Sequence, residues 1–555
     1  MLDSETVETV SISQQNPPIS NAARIGWAVL IVATLYVCYF SHLGAIGFVG
    51  PDEPRYAWIA RDMMESGDWV TPRLYGKPWF EKPPLFYWGA ALSFKLFGVS
   101  EAAARLPSAI SALLATLALA WLVLRLYGAE TARWLLLLLP TTVGMIGFSH
   151  AAATDMPFSA MLTIAMVCAA VVLGLTRNEN SPIIPQTPWL ALLLFGFFLG
   201  LAVLAKGPAA VILSGGAVFF WALITKRWRD SFRLFHPAAI ASFCITALPW
   251  YILCARRNPD FFRIFIIEHN FKRYLTPEFQ HIQPFWFYVP VLLLAILPWT
   301  MSFAIALRGA WRSKSTDRLN PQGLYFSCWA MFPVFFFSLS KSKLPGYILP
   351  TIPALGLLMV QGISLSVRKV LPGDRWIRIA SGTTLIILGL LAALQLDQTP
   401  LVWPSLALIV GGIAALVLRN LRPALAGGVV AVTVAIACTF TGATGEVLDQ
   451  RLSARAAPKA ARIVWNNYSP ERSSTYKLPR SFQYTLNFYF HRELPEWSPD
   501  GRARGWVFAS AKEEFELRQR GLNCPLNALI HIVIACEDPG SAGGLTGSWQ
   551  AQQEK

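Results

Sequence analysis

Three carboxylates in this chain stand where apolar stretches give way to polar sequence. Asp52 and Glu53 follow the apolar run at 26–48, in Gly50-Pro-Asp-Glu-Pro-Arg55-Tyr56, and Asp155, preceded by His150 and Thr154, opens the run at 155–175. A carboxylate at the mouth of a helix bundle is costly and as a rule faces a cavity or a partner, so these three are the candidate catalytic residues. Arg55 and Lys82 lie in the same segment as Asp52, Arg273 in a later loop, and Lys341, Lys343 and Tyr347 in Lys341-Ser-Lys-Leu-Pro-Gly-Tyr347. Ammonium and guanidinium groups bind phosphate through charge-assisted hydrogen bonds, and the six are candidate phosphate ligands. Arg55 follows Asp52 by three residues, so a helix start would put both on one side. A carboxylate with a histidine can also hold zinc, which makes Glu81 and His269 the candidate metal ligands, with His281 in the same set of loops. No Cys or His cluster has metal-type spacing. Plainer roles compete: Asp52 and Asp155 as helix N-caps, and the cations as contacts to anionic phospholipid.

What positions these residues is a membrane bundle. Of 555 residues, 54% are hydrophobic and 14% charged, with 21 Trp. Soluble domains carry about a quarter charged residues, so a soluble enzyme and a disordered protein are both excluded. Stretches near 20 apolar residues, the length that crosses a bilayer, occur at about 26–48, 104–126, 131–149, 155–175, 189–205, 208–225, 236–255, 284–307, 321–340, 345–366, 376–396, 400–418 and 423–442. That makes about thirteen spans, give or take one or two, with 85–98 as a further short apolar element. Lipid requires them to be α-helical.

The net charge is +15. Part of the excess falls in short loops at 226–233, 308–318, 368–378 and 419–422, which thirteen spans place on one side. The positive-inside rule makes that side the cytoplasm. Residues 1–25 are then a cytoplasmic tail, 26–441 the transmembrane domain, and 442–555 a small outer α/β domain. The first span is read as an uncleaved anchor. In the outer domain, helices are expected at 453–465 and 512–520 and strands at 505–510 and 529–535. Cys524 and Cys536 share it, and an oxidising compartment permits their disulfide.

The remaining excess lies outside, where orientation bias should have removed it. Arg55, Arg61, Arg73, Lys77, Lys82 and Lys95 crowd the loop at 49–103, and Arg256, Arg257, Arg263, Lys272 and Arg273 the loop at 256–283. Phosphates or anionic headgroups are their natural ligands. In the first loop Pro54 suits a first helical turn, the helix runs to about Glu65, and Gly67 stops it. Tyr56, Ile59, Ala60, Met63 and Met64 make one apolar face, expected to lie in the membrane interface. Trp69, Trp79, Tyr87 and Trp88 fit an aromatic belt.

With these residues in place, the chain resembles the membrane glycosyltransferases that use polyprenyl-phosphate sugars, among them the protein O-mannosyltransferases and the bacterial aminoarabinose transferases of lipid A. The resemblance rests on Asp52-Glu-x-Arg-Tyr56, Lys82-Pro-Pro-Leu-x-Tyr-Trp88, Ala153-Thr-Asp-Met-Pro157 and Lys206-Gly-Pro208. It implies thirteen spans with a C-terminal periplasmic domain. It implies a donor of undecaprenyl phosphate carrying 4-amino-4-deoxy-L-arabinose, and transfer to a phosphate of lipid A on the periplasmic face of the inner membrane. The family also implies altered lipopolysaccharide charge and polymyxin resistance. No cofactor is required, because the lipid phosphate is the leaving group.

Displacing a sugar from a phosphodiester gives an oxocarbenium-like transition state and a phosphate that gains charge. Arg55, Lys82 and Arg273 are the expected partners of that phosphate, with Lys341, Lys343 and Tyr347 in reach of the headgroup. A phosphate acceptor is already ionised, so Asp52 is expected to stabilise the anomeric centre or orient the sugar rather than act as a base, and Asp155 to pair with the sugar's ammonium. A protein acceptor is the alternative within the enzyme class, and a lipid flippase or a receptor with a working outer domain the alternatives outside it. Against a transporter, ionisable residues gather at one mouth rather than at mid-span. Nucleic acid is not an expected partner, since topology explains the cytoplasmic basic loops, and no feature marks an obligate protein partner. Membrane lipid is the remaining partner.

Overall fold

The computed structural model describes residues 20–176, 188–275, 282–312, 321–367, 373–394, 402–439, 448–449, 452–499, 504–525, 529–530 and 533–540. It is a polytopic helical membrane protein with a small C-terminal α/β domain. The helices run α1 (Asn21–Phe40), α2 (Asp52–Ser66), α3 (Leu85–Phe97), α4 (Glu101–Tyr127), α5 (Ala129–Leu138), α6 (Val143–Ser149), α7 (Asp155–Val172), α8 (Trp189–Lys206), α9 (Ala209–Thr225), α10 (Trp228–Phe232) and α11 (Pro237–Arg257). A π-helical segment, Arg263–Lys272, leads into the turn α12 (Arg273–Leu275). Then follow α13 (Tyr288–Ala295), α14 (Thr300–Arg312), α15 (Pro321–Ser338), α16 (Thr351–Val367), α17 (Asp374–Leu394), α18 (Val402–Val417) and α19 (Leu421–Thr439).

Each of the thirteen apolar stretches contains helix, but they are not thirteen equal spans. Among the described residues seven helices are long and apolar enough to cross a membrane unaided: α1, α4, α7, α8, α11, α17 and α19. The pair α5–α6 is bent by 62°, and Phe285–Ala295 meets Thr300–Gly309 at 111°; counting each bent pair as one span gives nine. Pro140 and Pro298 stand in the two breaks, where a ring without an N–H interrupts the helical ladder. The shorter apolar helices are α3, α9, α16 and α18. The stretch expected at 345–366 opens with a 3-10 turn, Pro345–Ile348, so that its helix starts only at Thr351.

α7 lies at the centre and is buried on almost every face. Its Ala160, Ala165, Ala169 and Ala170 carry no bulk, which lets neighbouring backbones approach closely, and α4 and α8 pack on it. Two of the large buried rings find polar partners inside the bundle, where hydrocarbon offers none. Trp221 Nε1 donates to the Pro321 carbonyl at 2.8 Å, and Trp299 Nε1 to Thr141 Oγ1 at 3.0 Å.

At one end of the bundle α2 and α3 form a cap. Gly67 closes α2 in the left-handed region (φ 72°), a position that suits a residue without Cβ. The face of Tyr56, Ile59, Ala60 and Met63 is buried, with Met64 partly so, but against Phe86, Tyr87 and Phe488. The expected membrane-interface face is therefore a protein–protein packing face. A two-residue turn then joins strands β1 (Arg73–Leu74) and β2 (Lys77–Pro78).

The C-terminal domain holds a four-stranded sheet of β3 (Ser473–Tyr476), β4 (Gly505–Ser510), β5 (Leu529–Ile530) and β6 (Val533–Asp538), in the order β3-β4-β6-β5. β3 runs parallel to β4, and β6 antiparallel to it. Helices Ala457–Val464 and Arg480–Phe490 accompany it. The expected helix at 453–465 is confined to Ala457–Val464. The expected strand at 529–535 is divided between β5 and β6, which pair antiparallel, and β3 and Arg480–Phe490 are additional. Cys524 and Cys536 are disulfide-bonded. The domain docks where α1 ends. Gly47 N donates to Asp449 Oδ1 at 2.6 Å, and a Cβ on Gly47 would meet Ser453 Oγ at 2.1 Å, so only glycine fits.

Candidate active site

The acidic residues of the first loop part company as soon as the chain folds. Asp52 and Glu53 open α2, where carboxylates suit the positive end of a helix. Pro51 is the N-cap, so Asp52 does not fill that role. Half of the Asp52 side chain is exposed, and its carboxylate pairs with Arg55 one turn on, as the spacing predicts. Glu53 turns inward. Its oxygens accept from Arg105 Nη2 (2.7 Å) and Nε (3.0 Å), from Ala152 N (2.7 Å) and from Val49 N (2.8 Å). Arg105 also donates to the carbonyls of Leu43, Ile46 and Gly47. The pair ties the end of α1, the start of α2, α4 and the turn before α7 into one knot, and neither residue lines the cavity described next.

That cavity, of 340 Å³, opens beside the cap. Its polar lining includes Glu81, Lys82, Lys206, His269, Ser340 and Tyr347, and its apolar wall Pro208, Ala209, Ile212, Phe336 and Phe337. Residues from four distant parts of the sequence thus meet, among them the predicted Lys82, Glu81, His269 and Tyr347. Glu81 is almost completely buried between two cations, Arg55 Nη1 at 3.1 Å and Lys82 Nζ at 3.4 Å. Burial works against the Arg55 charge, but Glu81, Tyr56 and Asp52 more than offset it and hold the guanidinium charged. Asp52 is thereby linked to the cavity through Arg55 and Glu81.

Asp155 reaches the cavity by another route. It is the first residue of α7, with Thr154 at the N-cap position making no side-chain cap. Its carboxylate pairs with Lys206, the last residue of α8. The Lys206 ammonium lies 5.0 Å from the Tyr347 ring and 5.5 Å from that of Phe158. Gly207, at φ 86°, ends α8 and lets the chain turn directly into Pro208 and α9, which leaves Lys206 at the mouth.

The other expected phosphate ligands divide. Lys343 is buried, and its ammonium donates to the carbonyls of Ser340 (2.6 Å) and Gln283 (3.1 Å). Burial and the neighbouring Lys341 pull its pKa below the usual lysine value. Lys343 therefore braces its own turn. Lys341 is exposed, and its backbone N–H donates to Tyr274 O at 3.0 Å. Arg273 begins α12, but its side chain lies outside the described residues, as does His281. His150 joins α6 to the end of α1 through the Ser41 carbonyl at 3.0 Å. Among the described residues no group of three or more His, Cys, Asp or Glu could hold a metal ion; Glu81 and His269 both line the cavity.

Two residues at this site had no role assigned from sequence. Lys206 stood within a recognised run, and the sign pointing to it was a lone cation closing an apolar stretch before Gly-Pro. Tyr484, from helix Arg480–Phe490, places its ring 5.5 Å from Arg55 Cζ, and nothing in its local sequence marks it.

Known proteins share the sequence and the fold of this chain. The profile of the dolichyl-phosphate-mannose-protein mannosyltransferases matches residues 26–265. The undecaprenyl phosphate-alpha-4-amino-4-deoxy-L-arabinose arabinosyl transferase of Erwinia tasmaniensis is 34% identical over 357 residues, 63% of this chain and 63% of that protein. Its namesake in Aeromonas salmonicida is 32% identical over 381 residues, 68% of this chain and 67% of that protein. The chain thus spans just under two thirds of the first relative's length and two thirds of the second's. Among solved structures, ArnT from Cupriavidus metallidurans bound to undecaprenyl phosphate matches with a TM-score of 0.72 at 25% identity, covering 94% of this chain and 99% of that one.

Proposed function

The chain belongs to the family of undecaprenyl phosphate-alpha-4-amino-4-deoxy-L-arabinose arabinosyl transferases, and we propose that it moves 4-amino-4-deoxy-L-arabinose from undecaprenyl phosphate to a phosphate of lipid A. The observation that carries this reading is the cavity beside the cap, where Lys82, Lys206 and Tyr347 face an apolar wall of Pro208, Ala209, Ile212, Phe336 and Phe337. A phosphate on a polyprenyl chain has that shape: a charged head followed by hydrocarbon.

In the reaction the bond from the anomeric carbon to the donor phosphate breaks, and its electron pair leaves with undecaprenyl phosphate. An oxygen of the acceptor phosphate forms the new bond. Lys82 and Lys206 stabilise the leaving phosphate as it gains charge, the kind of preorganised electrostatic help that dominates many active sites. The acceptor is already an anion, so no proton need be removed from it. Asp52, oriented by Arg55, stabilises the positive charge at the anomeric carbon. Asp155 receives the sugar's ammonium, in exchange for part of its contact with Lys206. Arg55 acts through its carboxylates, since both Asp52 and Glu81 occupy its fork, and Glu53 acts through the fold. Arg273, Lys341 and Lys343 border the headgroup region.

The chemistry proceeds without a cofactor, because phosphate is the leaving group. If a divalent ion such as zinc were bound, Glu81 and His269 are the residues that would hold it, and it would add positive charge beside that phosphate. We assign residues 26–441 to the transmembrane domain and 442–555 to the periplasm, with the site facing the periplasm of the bacterial inner membrane. The Cys524–Cys536 disulfide, which suits an oxidising compartment, supports this, as does the excess of Lys and Arg in the short connections at 226–233 and 419–422, which the positive-inside rule assigns to the cytoplasm.

The test is transfer by purified full-length protein in proteoliposomes, supplied with undecaprenyl-phosphate-linked aminoarabinose and lipid A, with the product weighed by mass spectrometry. Aminopentose-modified lipid A is the expected product. The mannosyltransferase profile match over residues 26–265 favours one second reading, transfer to a protein hydroxyl. Sugar gained by protein while lipid A stays unmodified would establish that reading instead.

A further inference from the structure

The aromatic packing on Arg55 is completed from the C-terminal domain. Helix Arg480–Phe490 lies against α2. Its Tyr484 ring centre is 5.5 Å from Arg55 Cζ, while Tyr56 and Trp79 each stand at 5.7 Å. A guanidinium near an aromatic face is attracted by the ring's quadrupole, more strongly when water is excluded, and Arg55 is only 14% exposed. Its N–H groups meanwhile reach Asp52 and Glu81. The cation is thus held by two carboxylates and three rings, and its placement sets that of the half-exposed Asp52 carboxylate.

The placement of Tyr484 is fixed in turn. The β1–β2 turn consists of Tyr75 (φ 53°) and Gly76 (φ 78°). Two positive φ values mark the hairpin turn that favours Asn-Gly, and a bulky aromatic at the first position is an outlier that surrounding contacts must hold. Those contacts come from the C-terminal domain and α2. The Tyr75 hydroxyl accepts from Asn487 Nδ2 at 2.9 Å, and its ring lies 6.4 Å from Tyr484 and 4.8 Å from Trp58. Asn487 follows Tyr484 by three residues on the same helix, and its Oδ1 accepts from Leu494 N at 3.0 Å.

We propose that Tyr484 is a positioning residue for the transfer reaction: the C-terminal domain supplies the third ring around Arg55 and so holds Asp52 where the sugar reacts. This rests on the function proposed above and gives the C-terminal domain a part in the chemistry.

The test compares full-length wild type, Tyr484→Leu and Tyr484→Phe in proteoliposomes, reading kcat, KM for the donor and the thermal midpoint. Tyr484→Leu lowers kcat about tenfold with KM for the donor nearly unchanged, and Tyr484→Phe, which keeps the ring face, restores kcat to within about threefold of wild type. Equal activity of the two variants, high or low, overturns the proposal, since the ring face would then not matter. A second measurement does not depend on substrate: a double-mutant cycle in thermal midpoint between Arg55→Met and Tyr484→Leu. Non-additive losses are expected, and additive losses overturn the cage. Wild type that transfers no aminoarabinose would sink the proposed function alone, and the cycle would still decide the contact.

Discussion

The ammonium of Lys206, closing α8, is ion-paired with the carboxylate of Asp155, opening α7, and lies 5.0 Å from the ring of Tyr347. Three segments far apart in sequence thus fix one charge at the mouth of the cavity. If Lys206 stabilises the leaving phosphate, Lys206→Met lowers kcat by about 10²–10³-fold, the range for losing one preorganised electrostatic contact. Steady-state kinetics on the reconstituted protein check this. A loss confined to KM would assign Lys206 to ground-state binding.

Asp155 is read as the partner of the sugar's ammonium. Asp155→Asn therefore impairs transfer from the aminoarabinose donor more than from a donor lacking the amine. Equal impairment with the two donors would remove the ammonium from its role and leave Asp155 as the anchor of Lys206.

Gly346 stands directly against that carboxylate. A Cβ there would lie 2.7 Å from Asp155 Oδ1 and 3.1 Å from Phe148. Gly346→Ala is expected to displace the Asp155 carboxylate and lower kcat at least about tenfold, with the protein still folded because the crowded atom ends a movable side chain. A variant with unchanged kcat would show that the placement of Asp155 is not critical.

Glu53 and Arg105 make a structural prediction instead. Both are buried, and removing one partner strands the other's charge, which costs about 3–5 kcal/mol. Arg105→Leu should lose thermal stability and yield. Purified Arg105→Leu with a normal midpoint and no activity would place the pair in the chemistry after all.

Much of this site could be read from local sequence. The i, i+3 spacing of Asp52 and Arg55 and the stop at Gly67 are set within one helix, and the structure carries both. Each apolar stretch proved to hold helix, because lipid leaves a backbone little else. Direction was not legible. Nothing near Glu53 says that it turns toward Arg105, 52 residues on, while its neighbour Asp52 stays exposed. The α2 face looked ready for lipid because apolarity does not say whether lipid or protein will cover it. Lys343 looked like a phosphate ligand because the carbonyls of Ser340 and Gln283 come to it only once the turn folds. The bends at Pro140 and Pro298 were written in the sequence as prolines, but their angles depend on what packs around them.

Acid should loosen the first loop through Asp68, which links Arg73 (2.8 Å) and Arg257 (3.0 Å). Burial raises its pKa, but hydrogen bonds from Val70 N and Thr71 N and the pairing with Arg73 outweigh that and hold it below the usual aspartate value. A lowered carboxylate pKa gives stability that is present above the unfolded value and lost as pH falls through the folded one. The thermal midpoint should therefore drop below about pH 4, with a smaller drop in Asp68→Asn. Identical pH curves for the two proteins would show that Asp68 contributes nothing there.

The central claim, that this chain places an aminopentose on lipid A, is tested most directly by mass spectrometry of lipid A from cells with the intact chain, with Asp52→Asn, and without the chain. The intact chain should add the mass of one aminopentose, and the other two should leave lipid A unmodified. Unmodified lipid A in all three, with donor present, would contradict the account.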